Sequence, residues 1–168
     1  MRRTFLFAAF MFFPLLMLDV ASAGSALDGK TYIVEMSSSQ SSSGYMHYLL
    51  PPLASEIERA GLKAKRGPGA DVVFNVVTHS DVGQWMGKGQ DREWLYTVTI
   101  TTGISPESYT IPFEGTPQFG VAVSLVTPNG DREDELACLI RLATREAIAR
   151  YRPKGLLKLS GQSCLRKP

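Results

Sequence analysis

The sequence predicts an α+β domain: a twisted, mainly antiparallel sheet of four to five strands with two helices on one face, in the order β-α-β-β-β-α. Three observations carry this expectation. Ala70 to Thr78, A-D-V-V-F-N-V-V-T, is an apolar, largely β-branched and aromatic run between Gly69 and the polar His79-Ser80-Asp81, which reads as a central strand buried on both faces. Tyr45 to Ala60 and Asp131 to Tyr151 carry apolar residues at helical spacing. Between them, Trp94 to Thr102 and Phe119 to Thr127 alternate as half-buried antiparallel strands do.

The N-terminus reads as a signal peptide over residues 1–23. Arg2 and Arg3 form a short basic region, Thr4 to Leu18 is apolar almost throughout, and Ala21-Ser22-Ala23 offers small residues for cleavage before Gly24. The apolar run is shorter than the ~20 residues that cross a bilayer, and Pro14 and Asp19 interrupt its end, so no stable membrane anchor is expected after cleavage. R-R-T-F-L resembles a twin-arginine signal, but so short a basic region with so apolar a core favours the general export route. The product expected is a periplasmic or secreted bacterial protein with one domain over residues 24–152 and a tail over residues 153–168.

Lys30 to Met36 is the first strand expected, and the serine run Ser37 to Gly44 after it reads as a flexible loop. The first helix places Met46, Leu49, Leu50, Leu53 and Ile57 on one stripe, with Gly61 as its terminator. Pro51-Pro52 leaves two forms open, a kinked helix from Tyr45 or a regular one from Pro51; the first is preferred. Leu62 to Lys65 is a possible short strand before the Arg66-Gly67-Pro68-Gly69 turn. His79 to Glu93 reads as a long loop. Gly103 to Pro106 turns the chain, and Tyr109 to Phe113 is a weak strand. After the P-N-G-D turn, Asp131 is the expected N-cap of a helix burying Leu136, Leu139, Ile140, Ala143, Ala147 and Ile148, ended by Pro153 and Gly155.

This order, with A-D-V-V-F-N-V-V following a helix that ends in A-G-L, a loop carrying Trp85, and a last helix R-E-A-I-A-R-Y, resembles the small α+β modules of bacterial envelope proteins. It is similar to DUF4136-type lipoproteins and, more distantly, to the module shared with TolB-like N-terminal domains. The resemblance spans about Gly29 to Tyr151 and implies an envelope location and an assembly role, with no site residues carried over. The lipidated cysteine of those lipoproteins is missing here.

A formal charge of +2, from 18 Lys and Arg against 16 Asp and Glu, gives no reason to expect nucleic acid as a partner. Cys138 and Cys164, exported to an oxidising compartment, are expected to form a disulfide that clips the tail to the last helix; two unpaired thiols are the alternative. No catalytic motif, cofactor or metal signature is present. Trp85 and Met86, between Gly83 and Gly87, are the residues expected to meet a partner in the envelope, or else to fold back over the end of the sheet. The preferred function is therefore non-enzymatic binding or assembly. The alternative is a small-ligand or metal site, or a hydrolase, at His79, Asp81 and Tyr96, where a His-x-Asp pair at a strand end could supply a base and its orienter.

Overall fold

The computed structural model describes residues 26–38, 44–106, 119–130 and 132–165. The expected signal segment, most of the serine run, the weak strand after Tyr109 and the expected cap Asp131 lie outside these residues.

The elements are β1 (Thr31–Ser38), α1 (Gly44–Arg59), β2 (Lys63–Ala64), β3 (Val72–Ser80), β4 (Gln84–Met86), β5 (Glu93–Pro106), β6 (Phe119–Thr127), α2 (Glu133–Ala149) and β7 (Gly155–Ser160), followed by a 3-10 turn at Gln162–Cys164. The class is α+β as expected, but the sheet has seven strands rather than four to five, in the order β2-β1-β3-β5-β6-β7 with β4 paired to β5. Its pairing is mixed, with antiparallel contacts at the centre and parallel ones toward both edges. β1 runs parallel to β2 and β3, and β6 parallel to β7, while β3, β4 and β6 are antiparallel to β5. The cause is connectivity. Each helix joins two parallel strands, β1-α1-β3 and β6-α2-β7, because a parallel return needs a crossover long enough to hold a helix.

The core lies on one face. Val72, Phe74 and Val76 of β3, Val98, Ile100 and Ile104 of β5, and Phe119, Val121, Val123 and Leu125 of β6 share one strand parity. Against them pack Leu49, Leu53 and Ile57 of α1 and the six expected residues of α2. Tyr32 and Phe74 meet edge to face at 5.9 Å within this layer. The other face takes Asn75, Val77, His79, Thr99 and Thr101. β3 is thus fully buried on both sides only at its start, where Val73 is 4% exposed, and then alternates toward the exposed His79.

α1 is continuous through Pro51 and Pro52, so it does not begin there. It stops at Gly61, whose φ of +87° suits glycine and where a Cβ would sit 2.0 Å from an Asp28 carboxylate oxygen. Asp71 lies at the rim of β3, as its charge demands, accepting hydrogen bonds from the Thr31 amide at 2.7 Å and hydroxyl at 2.6 Å. Gly103 to Pro106 does not turn the chain. It extends β5 between β3 and β6, with Gly103 opposite both Asn75 and Gly120. The segment read as a tail contains β7, and Cys138 and Cys164 are disulfide-bonded with their Cα atoms 5.6 Å apart.

Candidate functional site

β3 does not end in a loop. After Ser80, which pairs with Val98, residues Asp81 to Gly83 oppose Thr97 and Tyr96, and pairing to β5 resumes with Gln84 opposite Leu95. Three residues against two make a β-bulge, so β4 continues the line of β3. The extra residue shifts the side-chain alternation. Without it Trp85 would point away from Trp94; with it the two face each other across the strands, ring centroids 5.3 Å apart and planes at 82°.

The bulge is held by Asp81. Its carboxylate oxygen Oδ1 accepts from the Thr97 amide at 2.8 Å and the Gly83 amide at 3.0 Å, while its own amide donates to the Thr97 carbonyl at 3.1 Å. The Thr97 amide is the largest cause holding the Asp81 pKa below the usual carboxylate range, with the Gly83 amide and the Arg132 charge acting the same way against some desolvation. Gly83 has φ +84°, and a Cβ there would fall 2.2 Å from the Trp94 indole nitrogen and 3.0 Å from Tyr96 Cδ1. The indole therefore lies directly on the glycine backbone. Arg132, just before α2, puts its guanidinium 4.5 Å from the Tyr96 ring centre and donates to Ser80 Oγ at 3.1 Å.

On this base the tip of the ribbon stands exposed. Val82 is 81% exposed, Trp85 62%, Met86 48% and Trp94 37%. Lys88, Asp91, Arg92 and Glu93, all exposed, surround them with both signs of charge. An aromatic pair inside a polar rim can supply contact area at low entropic cost, since the rings already brace each other.

The residues of the alternative site do not converge. His79 pairs with Thr99 on the helix-free face, whereas Tyr96 pairs with Thr127 on the helix face, so the sheet separates them. Asp81 Oδ1 is engaged by the backbone amides of Thr97 and Gly83. Among the described residues no group of three or more His, Cys, Asp or Glu side chains is placed to hold a metal ion, and no helix is long and apolar enough to cross a membrane. Trp85 and Met86, expected in a long loop, lie exposed in strand β4, and Trp94, expected in a half-buried strand, is exposed opposite Trp85. Sequence reading missed Arg132 altogether, for which no local pattern gives a signal.

No family model matches the chain. No curated protein matches it either. Solved structures similar to the chain include the following two. One is a minor lipoprotein from Acinetobacter baumannii, with a TM-score of 0.41 and 15% identity over 72% of this chain and 87% of that one. The other is a PelC dodecamer from Paraburkholderia phytofirmans, with a TM-score of 0.45 and 15% identity over 76% of this chain and 92% of that one.

Proposed function

We propose that this chain is an exported, extracytoplasmic binding module that docks a protein partner of the bacterial envelope through the tip of the β4–β5 ribbon. One observation carries the reading: Trp85 and Trp94, packed edge to face, stand exposed on a ribbon whose base is fixed, with Val82 and Met86 also exposed in the same segment. The location rests on the signal-like N-terminus and on the disulfide, which persists outside the reducing cytoplasm. Binding is preferred to catalysis because Asp81 and Arg132, at the base of the ribbon, are engaged in holding its shape.

The test is capture from detergent-solubilised envelopes with wild type, Trp85→Ala and His79→Ala, each shown folded by circular dichroism, with bound proteins identified by mass spectrometry. One stoichiometric partner is expected with wild type and His79→Ala and is expected to fall at least tenfold with Trp85→Ala, the behaviour of a hot-spot residue worth about 1.4 kcal/mol or more. Equal capture by Trp85→Ala, or loss with His79→Ala alone, overturns the assignment.

A further inference from the structure

A second site, independent of the ribbon, lies where α1 and α2 end side by side. A groove of about 300 Å³ opens there between Glu56, Arg59 and Ala60 of one helix end and Arg145, Ile148 and Ala149 of the other. It exists because Ala60 and Ala149 are small where longer side chains would close the gap between the helices. Its surface is apolar: Ile148 is 6% exposed, and the arginines contribute the carbons of their stems.

The charges around it leave one cation over. Glu56, 7% exposed, is paired with Arg59 at 2.7 Å. On the adjoining turn of α2, Glu146 is paired with Arg150 at 2.8 Å. The terminal carbonyls, whose partial negative charge would otherwise repel an anion, are largely taken. Those of Glu56, Ile57 and Glu58 accept from the amides of Ala60, Gly61 and Leu62, and those of Glu146 and Ile148 from Arg150 and Tyr151. Arg145 is exposed, and no carboxylate among the described residues pairs with it. The groove therefore presents an apolar floor with two arginines at its rim, of which Arg59 is paired with Glu56 and Arg145 is not paired with a carboxylate.

We propose that this groove binds a medium-chain carboxylate, its hydrocarbon body on Ala60, Ile148 and Ala149 and its head on the Arg145 guanidinium. The volume stands at the lower end of small-molecule sites, about 300–1,000 Å³, so this open groove has room for a short chain and not for a full membrane acyl chain. Guanidinium suits the head because it offers a carboxylate two parallel donors.

The experiment titrates octanoate, octanol and acetate into the purified protein carrying ¹³C-labelled isoleucine methyl groups. Wild type is compared with Arg145→Ala, Arg145→Lys, Ala149→Leu and Trp85→Ala. Octanoate is expected to shift the Ile148 methyl resonance saturably, octanol to bind about fivefold more weakly, and acetate not to bind. Arg145→Ala is expected to lose about fivefold in octanoate affinity, the scale of an exposed charge pair, and Arg145→Lys to retain most of it. Ala149→Leu fills the groove and abolishes the shift. Trp85→Ala leaves it unchanged, which separates this site from the ribbon. An unmoved Ile148 resonance at millimolar octanoate, equal affinity for octanol and octanoate, or full affinity in Arg145→Ala or Ala149→Leu overturns the proposal.

Discussion

Reducing the Cys138–Cys164 bond isolates what the cross-link contributes, because both side chains are kept and the covalent tie between them is lost. The bond spans 26 positions and ties the first half of α2 to the turn beyond β7. Loop-closure entropy for a ring of that length corresponds to about 3.5 kcal/mol at 25 °C, acting on the unfolded chain. In the folded state β7 has other anchors. It pairs with β6 from Gly155 to Ser160, and the Gly161 amide donates to the Ser124 carbonyl at 2.7 Å. The reduced protein should therefore keep its fold while losing roughly 10 °C in Tm, with a larger urea m-value because its unfolded chain is less compact. Urea and thermal unfolding with and without reductant measure this, and Cys138→Ala with Cys164→Ala should behave like the reduced form, with a small further loss because Cys164 is 8% exposed in the core. A loss below about 1 kcal/mol on reduction would refute the reasoning, since it would mean that the unfolded chain already holds these segments together.

Gly83→Ala places a side chain where φ is +84° and where Trp94 already lies. It should lower stability by about 2 kcal/mol and change tryptophan fluorescence, whereas the same stability as wild type would show that Trp94 does not rest on the glycine. Asp81 gives a pH signature. Its folded pKa is depressed, above all by the Thr97 amide, so its contribution is complete above the unfolded value of about 3.9 and is lost as pH falls from there through the lower folded value. Wild type should lose the ordered tryptophan pair in acid below that point, seen in near-ultraviolet circular dichroism. Asp81→Asn should show a weakened pair already at neutral pH, with no matching acid transition.

Much of the fold was legible because burial follows periodicity. The apolar residues of the buried α2 face were read in full, though not its buried polar residues Glu135 and Thr144, and β6 was read to its ends, since alternation over Phe119–Thr127 has one interpretation. What local pattern could not give was anything set by a partner strand. Gly103-Ile104-Ser105-Pro106 has the composition of a turn, yet Ile104 is fully buried, because β3 and β6 flank that stretch and Gly103 sits opposite another glycine. β7 follows a proline and is short, so only its pairing with β6 identifies it as a strand. The parallel pairings follow from which strands the helices join, and that is invisible in any window of sequence.

The two site readings offered by the sequence meet in one structure, and the bulge is the reason. Trp85 and Met86 stand in the sequence as apolar residues among glycines, and His79, Asp81 and Tyr96 as a candidate small-ligand or metal site, of which Asp81 and Tyr96 adjoin the bulge. The bulge makes the second pair the foundation of the first. Asp81 fixes the backbone at Gly83 and Thr97, and Tyr96 lies against Gly83 beneath the Arg132 guanidinium. Gly83 in turn leaves the space that Trp94 fills, and Trp94 braces Trp85. A change at Asp81 should therefore weaken capture of a partner through the shape of the tip, without touching the partner. A change at Trp85 should weaken it by contact, leaving the ribbon in place. His79 lies opposite Thr99 on the helix-free face of the sheet, whereas Trp94 follows the parity of Tyr96 on the other, which is why His79 is the control in the capture experiment.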